Sequence, residues 1–188
     1  MRKITLTVLL LSALSFFAQA QEKTFSISGK IELDKGNLLV LTQRPGKIDT
    51  LAKTAIANRQ FSISGTTEEA VVAQLVIEGY AGGFVMILEP GEEYTANLTQ
   101  NGNGDIRGGK LQTAYNEYQK IVVNANAESR ALNKKASEAA AQKHFKTSKE
   151  LQTKANKVQE AAFAKMNNIV RKNADNVLAA YLQTAGSE

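Results

Sequence analysis

Cysteine and tryptophan are both absent from this chain of 188 residues, and histidine occurs once. A chain without a thiol cannot be a thiol enzyme, form a disulfide or bind a metal through cysteine. It also lacks the cysteine that a bacterial lipoprotein needs at its cleavage site. The single histidine, His144, stands near Lys143 and Lys146, which would oppose a bound cation, so we interpret it as a solvated side chain.

Aromatic residues are scarce, at 6% of the chain, and the net charge of +5 is mild, with positive and negative residues interspersed. Removal of a leader that contains Arg2 and Lys3 would leave +3. Proteins that bind nucleic acid usually combine a concentrated basic face with stacking aromatic side chains. The composition therefore predicts no nucleic acid partner.

Long apolar runs are limited to the N-terminus, where a basic start precedes an apolar run over residues 4–17 and the sequence Ala18-Gln19-Ala20. This order is typical of a secretory signal peptide, and the run is too short to span a bilayer comfortably. We predict a signal peptide over residues 1–20 and a periplasmic or secreted mature protein with no stable membrane insertion. A membrane anchor at the N-terminus is the alternative.

The chain changes character near Gly108-Gly109, and we predict an α+β protein with a β domain over residues 21–109 and a helical part over 110–188. Apolar residues before this point alternate or form short runs between glycine, proline and asparagine. About seven strands are predicted, which favours an antiparallel β-sandwich or small barrel. The predicted strand segments are residues 25–29, 38–41, 48–56, 61–64, 71–77, 84–88 and 94–99. A hairpin turn is predicted at Asn58-Arg59.

The pentapeptide FSISG occurs twice, at residues 25–29 and 61–65. In each copy phenylalanine and isoleucine alternate with serine, which is the period of a half-buried strand, and glycine ends the strand or lets it bend. The flanking sequences share no pattern. We interpret the copies as two strands under the same local constraint, and a duplicated ligand motif is the alternative.

The second half lacks glycine and proline between Gly109 and Gly186 and carries two apolar stripes with helical spacing. The stripe that starts at Leu111 loses its phase between Ala140 and Ser148, and a second stripe runs from Leu151 to Ile169. We predict an antiparallel helical hairpin, with one continuous helix as the alternative, and a short third helix over residues 177–183 capped by Asp175 or Asn176. The stripes are rich in alanine and bury little area, so the hairpin is expected to pack on the β domain or await a partner.

Motifs that would carry chemistry are incomplete. Residues 104–110 fit G-x-x-x-x-G-K, but Leu111 stands where a phosphate loop needs serine or threonine, so we predict a flexible connection into the first helix. The spacing of Asn101, Asn103 and Asp105 begins like a calcium loop, but its sixth and twelfth positions hold Ile106 and Gln112. The sequence predicts no catalytic residue, no cofactor and no metal site.

The order of short motifs resembles a domain of unknown function that precedes the thioredoxin-like domain in exported Gram-negative thiol–disulfide oxidoreductases of the TlpA and AhpC/TSA type. The matching segments are residues 25–29, 38–41, 48–50, 60–65, 88–91, 106–108 and 173–182. In that family the chemistry belongs to a Cys-x-x-Cys motif, which this chain does not contain. Asp49 matches a recurring family position, for which we expect a role in a turn or at a strand end.

Three main hypotheses for function follow, beside the less favoured one of a hydrolase with scattered acidic residues. The first is a non-catalytic envelope module that binds a protein partner through its helical arm, accessory to a thiol–disulfide oxidoreductase system. The second is a small-molecule or glycan carrier that uses the loop around Tyr80, Gly82 and Gly83. The third is that the chain is the front part of a longer thioredoxin-like oxidoreductase.

Overall fold

The computed structural model describes residues 23–44, 47–100 and 102–185. The predicted signal peptide, residues 1–20, lies outside these ranges, as does Asn101 of the calcium-like segment. The described residues form eight strands followed by three helices, which confirms the α+β prediction. The strands are β1 (Thr24–Ile31), β2 (Lys35–Arg44), β3 (Lys47–Ala57), β4 (Gln60–Thr66), β5 (Val71–Ile77), β6 (Phe84–Leu88), β7 (Glu93–Leu98) and β8 (Gly104–Arg107). The helices are α1 (Lys110–Ala141), α2 (Phe145–Lys172) and α3 (Val177–Ala185).

The strands form one sheet in the order β6-β5-β2-β3-β4-β1-β7-β8, and this sheet is nearly closed into a barrel. Of the two predicted architectures, β-sandwich and small barrel, the chain therefore forms the barrel. Its outer strands approach each other closely, since a Cβ added at Gly104 would lie 2.6 Å from Cδ1 of Phe84. One pair departs from the antiparallel prediction, because β1 and β7 run parallel, with Ile27 opposite Tyr94.

β8 is an additional strand, in a segment for which the sequence predicts a flexible connection. It pairs antiparallel with β7, and Ala96 lies opposite Ile106. Only Ile106 of its four residues is buried. A strand this short, with one inward side chain and a glycine start, has no alternation from which it could be predicted.

The two FSISG copies are strands, as predicted, and they pair with each other. β1 and β4 are antiparallel, with Phe25 opposite Gly65, Ile27 opposite Ile63 and Gly29 opposite Phe61. A Cβ added at Gly65 would lie 2.7 Å from Cζ of Phe25, so the ring occupies the space that a side chain would need. Gly65 thus makes room in the sheet for the Phe25 ring, whereas Gly29 makes room for the backbone of β7 at Ala96.

The described residues form two hydrophobic cores. The inward side chains of the barrel form the first, and every strand contributes to it. The second lies on the outer face of the sheet and at the base of the helices, where Ile87 of β6 packs with helical residues. The buried members of the second core are Ile87, Leu111, Tyr115, Ile169, Leu178 and Leu182.

The helical part is a hairpin with a break after Ala141, as the loss of phase predicts, and the continuous helix is wrong. The turn passes through Lys143, whose φ of 61° is left-handed. α3 begins after Asn176, whose Oδ1 accepts a hydrogen bond from the Leu178 N–H at 3.0 Å. Asn176 therefore acts as the predicted N-terminal cap of α3.

Candidate functional site

The start of α1 is fixed by a carboxylate from the turn after β6. The Leu111 N–H donates to Oε2 of Glu89 at 2.8 Å, and the Glu89 N–H donates to the Tyr94 hydroxyl at 2.7 Å. The first N–H groups of a helix have no partner within the helix, and a carboxylate there also complements the helix dipole. Gly108 and Gly109 bring the chain to this point with φ values of 121° and 62°.

Two amide side chains of α1 bridge the outer strands of the barrel. Oε1 of Gln112 accepts the Ile87 N–H of β6 at 2.7 Å, while Nδ2 of Asn116 donates to the Ile106 carbonyl of β8 at 2.7 Å. Nε2 of Gln112 donates to Oδ1 of Asn116 at 2.8 Å and joins the two halves. Gln112 is only 1% exposed. If β6 and β8 paired directly, their backbone groups would hydrogen-bond to each other. Here the side chains of α1 provide these hydrogen bonds at Ile87 and Ile106.

Three tyrosines pack at the base of the helices and in the barrel: Tyr115 and Tyr94 are buried, and Tyr181 is half-buried. The rings of Tyr115 in α1 and Tyr181 in α3 meet edge to face, with centroids 5.9 Å apart. Burial raises the pKa of Tyr115 to about 12, and burial likewise raises the pKa of Tyr94 to about 12. Both hydroxyls therefore stay protonated at neutral pH and act as packing and hydrogen-bonding groups.

Beyond this base, α1 and α2 form an arm held together by small residues. α1 has 32 residues, which gives a length of about 48 Å at 1.5 Å per residue. The buried positions along the seam are Ala125, Ser129, Ala136, Ser148, Ala155 and Ala162. Gln159 of α2 also donates to the Ala125 carbonyl at 3.3 Å and to Oδ1 of Asn126 at 3.4 Å. Small side chains let the helices approach closely, but they bury little apolar area.

One flank of the arm carries three apolar side chains, half-buried Val122 and exposed Val123 and Phe163, which we call the arm patch. Val123 is 62% and Phe163 is 61% exposed. Because Gln159 contacts Asn126 on this flank, one turn further along each antiparallel helix places Phe163 and Val122 beside each other. Apolar side chains that are exposed next to each other in one patch mark interaction sites, whereas single exposed ones are common.

A groove of about 650 Å³ runs between α3 and the outer face of the sheet, and we call it the α3 groove. Its apolar lining comes from β2, β3, β5, β6 and α3. Gln43, Gln74 and Thr184 add polar atoms at its sides. The apolar side chains are Leu41, Ile48, Val72, Val85, Val177, Ala180 and Tyr181.

None of the residues singled out in the sequence belongs to the arm patch or lines the α3 groove, although Asp49 directly follows Ile48 of the groove. Asp49 is at the start of β3 and forms an ion pair with Lys47. Tyr80 is about half exposed and follows β5, in the loop that contains Gly82 and Gly83. Asp49 lies opposite Thr42 of β2. The Tyr80 loop follows Ile77, which lies opposite Leu38 of the same strand. The structure therefore does not bring Asp49 and the Tyr80 loop together.

Titratable and buried polar groups of the described ranges bear on two kinds of site, a metal site and a buried polar site. No group of three or more histidine, aspartate or glutamate side chains there is placed to hold a metal ion. Nor does any buried side-chain nitrogen or oxygen of these residues lack a hydrogen-bond partner. The pKa of Glu78 is lowered by hydrogen bonds from Lys53 and Asn37, but this group is at the surface. In the same ranges, no helix combines the length and apolar character that crossing a membrane requires.

The family comparison matches the strands of the barrel. Residues 25–115 match the family model of a domain of unknown function, DUF4369. The DUF4369 match spans all of the strands except the first residue of β1, and it ends within the first two turns of α1. A match to a domain of unknown function is thus shown for this part of the chain, which contains Glu89, Gly108, Gly109 and Gln112. The link to a thioredoxin-like domain stays a prediction.

Other similarities are weak. No curated protein matches this chain significantly. Among solved structures, a 9R-lipoxygenase from Cyanothece PCC8801 is similar over 43% of this chain and 17% of its own, with 15% identity and a TM-score of 0.30. The chain thus spans less than a fifth of the lipoxygenase, and the likeness is too slight to bear on activity.

The arm patch is the feature that sequence reasoning missed. The predicted second stripe includes Ala162 and Met166, and Phe163 stands one residue out of phase with it. A phenylalanine beside a stripe of alanines is the signal that could have marked this flank as exposed.

Proposed function

We propose that this protein is a non-catalytic, exported module of the cell envelope that binds a protein partner through the arm patch. The proposed partner is a thiol–disulfide oxidoreductase with a thioredoxin-like domain, and the chain acts as its accessory. Export rests on the basic and apolar order of residues 1–20, and the class of partner rests on the motif order around the strands.

The observation that carries this proposal is the exposure of Val123 and Phe163 on a hairpin whose own seam is alanine and serine. Burial of a phenylalanine side chain stabilises a complex by about 1.5–3 kcal/mol. An amphipathic helix that lays its apolar side chains into a partner's groove is a recurring mode of recognition.

A carrier of small apolar molecules is the second candidate, and the α3 groove favours it over the loop around Tyr80. The groove is large enough for a ligand and combines apolar walls with a few amide and hydroxyl groups. A third proposal, that the chain is the front part of a longer oxidoreductase, gives the arm patch an intramolecular partner of the same class.

Site-specific photocrosslinking in intact cells tests the main proposal. A photoreactive amino acid at position 163 should give one defined product, in which mass spectrometry identifies a protein with a thioredoxin-like domain. The same probe at Ser62, an exposed position of β4, serves as the matched control and should give no such product.

Absence of a defined product at both 163 and 123 would contradict the proposal. A product of the same yield at Ser62 would show that proximity, and not the arm patch, selects the protein. A ligand-induced rise in melting temperature that Val85→Gln in the α3 groove abolishes, with no crosslink at 163, would favour the carrier.

A further inference from the structure

The outer end of the arm concentrates positive charge that appears interspersed in the sequence. We call residues 130–157 the arm tip, which includes the end of α1, the turn and the start of α2. Eight lysine or arginine residues lie in it against two glutamates, while the remainder of residues 21–188 has a net charge of −3. The eight are Arg130, Lys134, Lys135, Lys143, Lys146, Lys149, Lys154 and Lys157.

These cations are available to an external anion. All eight side chains are exposed, and within the described part of the chain none of them takes part in an ion pair. They are distributed over α1, the turn and α2, so they surround the tip and do not line one flank. Such an arrangement complements an extended anionic surface better than a single anionic pocket.

Phe145 gives the tip an apolar end. It begins α2 directly after the turn, it lies between Lys143 and Lys146, and it is 68% exposed. It contributes to neither hydrophobic core. An aromatic side chain flanked by lysines is the combination by which peripheral proteins hold the headgroup region of a bilayer, because the ring enters the interface while the amines meet phosphate.

The shape of the tip also favours a lipid surface over a protein. A stable protein interface buries about 800 Å² on each partner around a packed centre. The tip is the convex end of two helices with one large apolar side chain, whereas lipid headgroups yield to a convex probe. We propose that the arm tip docks on anionic phospholipid headgroups through its lysines, with Phe145 inserted between them.

This proposal is independent of the arm patch, because Val123 and Phe163 lie outside residues 130–157. One face of the arm can bind a protein while its end rests on a membrane. Failure of the crosslinking experiment at position 163 therefore leaves lipid docking untouched, and failure of lipid docking leaves the partner proposal untouched.

The test is flotation of purified residues 21–188 with phosphatidylcholine vesicles, with or without phosphatidylglycerol at roughly a third of the lipid. The tip variant is Lys143→Gln with Lys146→Gln and Lys149→Gln. The matched control, Lys120→Gln with Lys165→Gln and Lys172→Gln, removes the same charge from exposed positions near the base of the arm. Phe145→Ser isolates the aromatic contribution.

We expect binding only to the anionic vesicles, weakened at least about tenfold by the tip variant and less than about twofold by the control. Binding should also be lost near 0.5 M salt, where the Debye length falls to about 4 Å. Phe145→Ser should weaken binding severalfold without change in helicity.

Equal binding to neutral vesicles, or equal losses in the tip and control variants, would overturn the proposal. A single-stranded oligonucleotide or an acidic protein that binds as tightly as the vesicles, with no effect of Phe145→Ser, would assign the tip to soluble polyanions and overturn it as well.

Discussion

At the scale of single residues, the junction between barrel and arm depends on space as much as on backbone conformation. A Cβ added at Gly108 would lie 2.1 Å from the Glu93 carbonyl oxygen, and one at Gly109 would lie 2.5 Å from Oε2 of Glu89. Gly79 also has a positive φ, of 84°, but no atom lies within 4 Å of an added Cβ there. The glycines of the junction thus serve close approach, whereas Gly79 serves only a turn.

Gly108→Ala is expected to destabilise the protein by about 2–4 kcal/mol, because the methyl group must displace the backbone of β7 as well as occupy a left-handed conformation. Gly79→Ala should cost about 1 kcal/mol, which is the conformational part alone. Urea unfolding followed by circular dichroism measures both variants. Equal losses would show that β7 moves without cost and that conformation alone requires Gly108.

At the scale of elements, the barrel is completed by a helix. β6 and β8 are the ends of the strand order, and Gln112 and Asn116 of α1 satisfy backbone groups on both strands. A buried amide that loses its partner costs about 1–3 kcal/mol, so the bridge ties the register of α1 to the two strands.

Gln112→Leu should lower stability by about 1–3 kcal/mol, because it leaves the Ile87 N–H without an acceptor in a buried site. Hydrogen exchange should show faster exchange of amides in β6 and β8, with β2 and β3 unchanged. Gln152→Leu, at an exposed position of α2, is the control and should leave both strands as they are. Uniform acceleration across all strands would mean that the bridge is not local.

Sequence patterns predicted the elements that repeat a period and missed those that depend on distant partners. β5 and β6 have the predicted bounds, since β6 is a continuous apolar run between turn residues and only Gln74 interrupts the apolar run of β5. The break between α1 and α2 was predicted from loss of helical phase. β8 and the burial of Gln112 depend on contacts that the folded chain brings together, and no local pattern encodes them. For the site, a helical arm was predicted, but the exposure of Phe163 depends on which flank the seam leaves open.

At the scale of the whole molecule, two regions differ in what holds them. The barrel encloses aromatic and branched aliphatic side chains. The outer arm is held by alanine and serine pairs, with no large buried side chain between Ala125 and Ala162. Local opening takes place where buried apolar area is small, so the outer arm is expected to open without the barrel.

Hydrogen exchange at increasing denaturant should show lower opening free energies for residues 126–160 than for β2 and β5. Ala136→Leu, in the seam, should lower protection of the arm further because the larger side chain separates the helices. Ala131→Leu, at an exposed position of the same helix, should leave protection unchanged. A single opening free energy for arm and barrel would contradict this division.

The mutual pairing of the two FSISG copies bears on how separate molecules avoid each other. If β1 of one molecule met β1 of another in the same antiparallel register, the five positions would bring together the same Phe–Gly, Ser–Ser and Ile–Ile neighbours as β1 and β4 do. Side chains at these positions therefore do not distinguish self from neighbour. β1 pairs with β4 of its own molecule because the connecting chain keeps β4 at a high effective concentration. Protection against strand exchange at β1 and β4 thus depends on the chain that connects them. This protection weakens as the protein concentration rises.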